Sequence, residues 1–375
     1  MAPKLFVDSF CELKEILRPW ISGEFWNVST QEFMPDAVYL FERQRFVEDG
    51  PFLRNLIQSG KSRFVFSLPF EGSETLINHL YQCQLADLVK SGKLLVIAGG
   101  DMGPEWPHIT YDLFSTKFHD FDENIAEAQR STQDIYLKKI KPYKFLFLNG
   151  RERPHRKYLV EKFDQLGLLE NSIWSFLSPI VTPNREINLR DDNGQDLMTQ
   201  HRSIKLLEEK YEVLRYHNHT ITNENKFVKD ELFNNEWGDI YVNADAYIDT
   251  YFSVVTETVF NYPYSFRTEK IWKPIAMCHP WIAVANRGYY RDIRNLGFRT
   301  FERLIDESFD SIDNNQRRID RIAEVVNDLC QQDLPSFLDA AQEICKYNQQ
   351  HLLSLRQQVI REFPERFFQF LSQYE

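Results

Sequence analysis

Two short stretches, one on either side of the chain's midpoint, gather side chains that could hold an anion and neutralise charge developing on it. The first is Asn149-Gly150-Arg151-Glu152-Arg153-Pro154-His155-Arg156-Lys157, which packs the cations Arg151, Arg153, Arg156 and Lys157 close together. It follows the apolar run Lys144 to Leu148, and Pro154 stands where a helix takes its first turn. This is the carboxyl end of a strand, the edge at which open α/β sheets bind ligands. The second stretch is Ser265-Phe266-Arg267-Thr268-Glu269-Lys270-Ile271-Trp272-Lys273-Pro274. Thr268 is a good N-cap, Glu269 sits in the first turn and an apolar helix face follows. Free N–H groups and the positive dipole end at such a terminus suit a diphosphate, and Arg267 and Lys270 add full charges. Glu269 would repel phosphate. A carboxylate there is better matched to the two hydroxyls of a ribose, as in dinucleotide sites.

The elements that must position these residues are legible as alternating apolar runs. Lys4 to Val7, Ala37 to Phe41, Arg63 to Leu68 and Leu94 to Ala98 read as buried strands. Leu76 to Val89 has helical spacing. Lys144 to Leu148, Ser172 to Leu177, Ile240 to Val242, Tyr251 to Thr256 and Trp281 to Ala285 are further strands, with a helix running from Pro154 to Leu166. Alternation of this kind predicts an α/β fold with largely parallel sheets. A basic, proline-containing segment near Lys139 to Pro142 marks a boundary between a first domain, 1–142, and a second, 143–333. Residues 334–375 read as helix that packs back on the first domain. Val181 to His201 is polar and turn-rich and reads as a long loop. Trp106, Tyr241 and Tyr251 are read as core.

Composition narrows the classes. The 375 residues carry a formal charge of −11, which argues against a nucleic-acid coat. Glycine is scarce, 14 residues, so phosphate is expected to be held by cations and helix ends rather than by glycine loops. No window has the ~20 consecutive apolar residues of a membrane span, and Met1 to Asp8 lacks the layout of a signal peptide. The cysteines, Cys11, Cys83, Cys278, Cys330 and Cys345, are scattered without a CxxC pair, which fits a reducing cytoplasm.

Several motif fragments fail on context. Ser59-Gly60-Lys61-Ser62 lacks the earlier glycine of a P-loop, since Asn55 stands there. Gly99-Gly100-Asp101-Met102-Gly103 follows a strand but does not complete GxGxxG. There is no HExxH, and the histidines have no ligand spacing, so no protein-bound metal is expected.

With these residues in place, a resemblance emerges. Thr268-Glu269-Lys270, preceded by Glu257 on a strand and followed by Pro280 at the next strand, resembles the donor-site motif of the fucosyltransferase family. Pro154-His155-Arg156 is similar to the short Pro-x-Arg stretch of that family. The wider pattern from Thr268 to Leu296-Gly297-Phe298 also looks like that of phage and bacterial proteins described as glycosyltransferases. The likeness covers roughly 143–300. The chain departs from it at Val255-Thr256-Glu257-Thr258, where the family has Phe-Glu-Asn, and in the spacer from Asn261 to Phe266.

The resemblance implies a GT-B arrangement, with two Rossmann-like domains facing across a cleft and the second holding a nucleotide sugar, a GDP-sugar by preference. Arg156 and Lys270 would contact the diphosphate, with Arg153, Arg267 and Thr268 beside them. Glu269 would hold the ribose, and Glu257 would fall on the carboxylate of Phe-Glu-Asn. The leaving diphosphate would be neutralised by these cations and the helix end, with no cofactor beyond the donor. An inverting transfer then needs a carboxylate from the first domain to take the acceptor's proton. Glu71 and Asp101 stand at strand ends there, and Glu71 ranks first for its longer side chain. The partners implied are a nucleotide sugar and a carbohydrate or other hydroxyl acceptor. Nucleic acid enters only as an acceptor, in the alternative of a transferase acting on a modified base. A non-catalytic sugar-nucleotide-binding protein is the other alternative.

Overall fold

The computed structural model describes residues 4–8, 11, 13–25, 32–117, 122–149, 153–176 and 244–374. The expectations for Arg151, for Tyr241, for the strand Ile240 to Val242 and for the loop Val181 to His201 fall outside them. The chain divides into two compact units. One comprises Met1–Thr116, Tyr264–Arg267 and Leu355–Glu375, the other Lys117–Pro263 and Thr268–Ser354.

The first unit is α/β. Its elements are β1 (Leu5–Asp8), α1 (Lys14–Leu17), β2 (Ile21–Phe25), β3 (Val38–Glu42), α2 (Arg43–Ser59), β4 (Arg63–Leu68), α3 (Ser73–Gln82), α4 (Ala86–Lys90), β5 (Leu94–Ala98), β6 (His108–Thr110) and α5 (Leu113–Lys117). The strands form one sheet in the order β2-β1-β3-β4-β5-β6, and every pairing is parallel. Parallel strands buried on both faces read as unbroken apolar runs, which is why β3, β4 and β5 stood out. Their side chains alternate between two cores. Tyr39, Phe41, Phe64 and Phe66 pack on one face with Leu76 and Leu80 of α3. Val38, Leu40 and Val65 pack on the other with Phe363, Phe367 and Leu371. The helix expected over Leu76 to Val89 is broken, because Gln84 takes a left-handed conformation, φ 55°, and turns the chain between α3 and α4.

The Gly99-Gly100 pair has a packing role. A Cβ on Gly99 would lie 2.3 Å from the carbonyl oxygen of Pro69, and one on Gly100 would lie 2.3 Å from that of Ser265. Glycine is what lets the segment Tyr264–Arg267 lie against the end of β5, where Gly100 and Phe266 form an antiparallel bridge.

The second unit is also α/β. It contains α6 (Asp122–Leu137), β7 (Tyr143–Asn149), α7 (Pro154–Gln165), β8 (Ile173–Phe176), α8 (Ala244–Ile248), β9 (Thr250–Thr256), α9 (Glu269–Ala276), β10 (Trp281–Val284), α10 (Tyr289–Asn295) and α11 (Asn315–Cys330). The helix α12 (Leu334–Ser372) begins here, and its residues from Leu355 onward belong to the first unit. The sheet runs β10-β9-β7-β8, again with parallel pairs throughout. Phe145, Phe147, Phe163, Trp174, Trp272 and Trp281 are buried in this unit.

The first unit ends at Thr116, short of the boundary expected near Pro142. The reason is α6, which is tied to the second unit by polar contacts. The hydroxyl of Tyr136 donates to the carbonyl of Cys278 at 2.9 Å, and Lys138 Nζ meets Asp249 Oδ1 at 2.5 Å. The amide of Gln349 donates to Thr132 Oγ1 at 2.8 Å and to the carbonyl of Ala276 at 2.6 Å. Cys278, which ends the turn after α9, has φ 55° without being glycine. Among the described residues no helix is long and apolar enough to cross a membrane.

Candidate functional site

In the second sheet β7 is flanked by β8 on one side and β9 on the other, so the chain's winding reverses between β7 and β9. Such a switch point leaves a crevice outside the carboxyl ends of the two strands. Asn149 ends β7 and Thr256 ends β9; Thr256 Oγ1 donates to Asn149 Oδ1 at 2.6 Å, and both residues are buried. The helix α7 starts beside them, with Arg153 as its extended N-cap and Pro154 in its first turn.

Two residues of that first turn reach across to β9. His155 Nε2 lies 2.9 Å from the carbonyl oxygen of Glu257. A carbonyl only accepts, so Nε2 carries the hydrogen and Nδ1 is the acceptor nitrogen. Burial, reinforced by the neighbouring Arg156 charge, lowers the imidazole to about 3, so it is neutral near pH 7. Its ring stacks on Phe260 at 5.1 Å between centroids. Arg156 is enclosed, and its Nη2 donates to the carbonyls of Thr256 at 3.1 Å and Glu257 at 3.4 Å. This cation therefore braces the backbone at the strand end and places a positive charge there.

The helix α9 opens on Thr268, whose side chain caps the N–H of Lys270. The carboxylate of Glu257 anchors this cap. It is fully buried, and it accepts from Thr268 Oγ1 at 2.6 Å, from the Thr268 N–H at 3.2 Å and from the Tyr289 hydroxyl at 2.8 Å. Burial raises its pKa, against the pull of Lys270 and the hydrogen bonds from Thr268. Lys270 Nζ donates to Glu269 Oε1 and, at 3.3 Å, to Thr268 Oγ1. Burial pushes the Glu269 carboxyl up, but Lys270 and Lys273 outweigh it and hold it below the ordinary glutamate value. Lys270 and Glu269 are partly exposed, at 24 % and 15 % of their side chains, so they are members of this group open to solvent.

The structure thus unites Glu257, Thr268, Glu269 and Lys270 in one network, and it links Arg156 and His155 to the same strand end. Arg267 is counted with the first unit, where its Nε donates to Asp112 Oδ2 at 2.7 Å in a largely buried ion pair. Sequence reasoning passed over Tyr289, which follows Gly288 and reaches Glu257 from α10. It also passed over Asn149 as the acceptor for Thr256.

The two carboxylates expected to act as bases lie in the first unit. Glu71 is half-buried in the turn between β4 and α3, with no hydrogen-bond partner among the described residues. Two enclosed hydroxyls beside this turn, Ser67 Oγ and Ser73 Oγ, also lack partners among the described residues. Asp101 follows β5; its Oδ1 accepts the N–H of Gly103 at 2.8 Å and lies 3.3 Å from His108 Nε2. Among the described residues no cluster of three or more His, Cys, Asp or Glu side chains could hold a metal ion. In comparison with known proteins, the chain matches no family model, no curated protein and no solved structure.

Proposed function

We propose that the chain is a glycosyltransferase of GT-B type that moves a sugar from a nucleotide-sugar donor, a GDP-sugar by preference, to an acceptor hydroxyl. One observation carries the reading. At the carboxyl edge of a parallel sheet, beside its switch point, a capped helix opens on an adjacent carboxylate and ammonium, Glu269 and Lys270, and both are partly open to solvent.

In this reading the donor diphosphate displaces Glu269 from Lys270. The ammonium then neutralises the leaving group, and the freed carboxylate takes the ribose hydroxyls. Arg156 and the α7 terminus supply further positive potential without touching the ligand directly, since the guanidinium is spent on backbone carbonyls. Transfer breaks the bond from the sugar's anomeric carbon to the diphosphate oxygen and forms one to the acceptor oxygen. The acceptor's proton passes to a carboxylate of the first unit, Glu71 or Asp101, and the configuration inverts. Fixed cations perform the neutralisation, so the reading has no role for a divalent ion.

A thermal-shift screen against GDP-, UDP-, CMP- and dTDP-sugars tests it. The expected outcome is a rise in melting temperature with one nucleotide series, because a ligand that binds only the folded state stabilises it. No shift with any of them sinks the reading. A shift without donor turnover in the presence of glycan acceptors would instead support a non-catalytic sugar-nucleotide-binding protein.

A further inference from the structure

A pocket of about 370 Å³ lies within the first unit, between the edge strand β6 and the last turns of α12. That volume falls in the range of small-molecule sites. Its chemistry divides by wall. On the strand side are Asp101 and His108. The Nδ1 of His108 lies 2.7 Å from the carbonyl of Trp106, and its Nε2 lies 3.2 Å from the N–H of Met102. The first contact requires Nδ1 to be the donor, and the second requires Nε2 to accept. Both ring nitrogens of His108 are thus spent on the backbone, and the acceptor this wall presents is the carboxylate of Asp101. The α12 side presents the guanidinium of Arg366, a donor that also reaches the carbonyl of Thr110 at 3.3 Å, and the amide of Gln369, which both donates and accepts and whose Nε2 lies 3.4 Å from Glu365 Oε1. Ile109 and Phe370, both largely buried, supply apolar surface between them.

We infer that this pocket binds a saccharide. A phosphate offers only acceptors and would face the Asp101 carboxylate unfavourably. An amine offers only donors and would face Arg366. A sugar hydroxyl both donates and accepts, neighbouring hydroxyls repeat at the spacing of planar carboxylate, guanidinium and amide groups, and the ring's C–H face suits Ile109 and Phe370. The preference for a polyol stands on the pocket alone; its assignment as the acceptor seat rests on the glycosyl-transfer reading.

The test is saturation-transfer NMR on the full chain with methyl gluco-, galacto- and mannopyranosides of both anomeric forms, and with inorganic phosphate as a control. Saturation of at least one glycoside is expected. Its affinity should fall by about tenfold or more in Asp101→Ala and in Arg366→Ala, as for loss of a hydrogen bond to a charged group. Both side chains are solvent-exposed, and Asp101→Asn, which keeps an acceptor for the Gly103 N–H, guards against a folding defect. Lys270→Ala should bind the glycoside as the parent does. No saturation by any glycoside, binding of phosphate alone, or binding unchanged in both alanine variants would overturn the inference. Thermal shift by nucleotide sugars on the same samples separates the two claims. A nucleotide response without glycoside binding removes the pocket and leaves the proposed function, and the converse removes the function and leaves the pocket.

Discussion

Thr268 gives both its hydroxyl and its backbone N–H to the carboxylate of Glu257, at 2.6 Å and 3.2 Å, so a fully buried acid fixes the cap of α9 from the end of β9. In the donor-site reading, the acid that the resemblance would have set against the donor acts as a positioning residue. Replacing it by alanine strips the acceptor from Thr268 and from Tyr289 at once. Glu257→Ala is expected to destabilise the protein by about 3 kcal/mol or more, since three buried donors, the Thr268 hydroxyl and N–H and the Tyr289 hydroxyl, are left without their acceptor. Thr268→Ala should cost about 1 kcal/mol as a lost cap. Urea denaturation of the two variants checks the order, and an equal cost for both would contradict the anchor role.

Lys270→Ala and Glu269→Ala are expected to abolish donor turnover and leave the melting temperature within about 2 °C of the parent, because both side chains lie at the partly exposed end of the network. Parental turnover in either variant would remove α9 from the donor site.

Glu71→Gln should lose sugar transfer while retaining nucleotide binding. Should it transfer normally, Asp101→Asn becomes the variant expected to lose activity. Steady-state transfer alongside calorimetric binding resolves the pair.

Acid should weaken the second unit in a defined window. Burial holds both His155 and His279 near 3, with Arg156 adding to the effect at His155. Unfolded histidine titrates near 6.5, so between these values the unfolded chain binds more protons and stability falls as pH falls. The contribution is fully present above about 6.5. Each histidine should remove about 1.4 kcal/mol on going from pH 7.5 to 5.5. His279→Asn should flatten the pH dependence of urea midpoints, and an unchanged slope would show that the ring is not held neutral.

Turnover should survive EDTA, since Lys270 and the helix end are assigned the charge neutralisation. A strict requirement for added divalent metal would exclude that mechanism.

The buried parallel strands were readable because each is an unbroken apolar run. β6 was not, since His108-Ile109-Thr110 holds one apolar residue and becomes a strand only by pairing with Val96 to Ala98. β2 was hidden for a related reason: Ile21-Ser22-Gly23-Glu24-Phe25 alternates burial on a sheet edge and has a glycine at its centre. Within the site, Thr268 declared itself by residue type at a helix start, a local signal. Tyr289 did not, because its bond to Glu257 spans distant sequence and exists only once α10 is packed. The separate placement of Arg267, paired with Asp112, is likewise a tertiary choice that no spacing encodes.

The buried cysteines carry a consequence of their own. Cys278 sits where a chain would ordinarily use glycine, its thiol is pushed up to about 12 by burial, and burial also raises Cys345 nearby well above the ordinary thiol value. A thiolate is the reactive form, so alkylating reagents are blind to both sites while the second unit stays closed. Their labelling rate is then a clock for opening of that unit, readable residue by residue by mass spectrometry. If the proposed function holds, a bound nucleotide sugar should slow that clock.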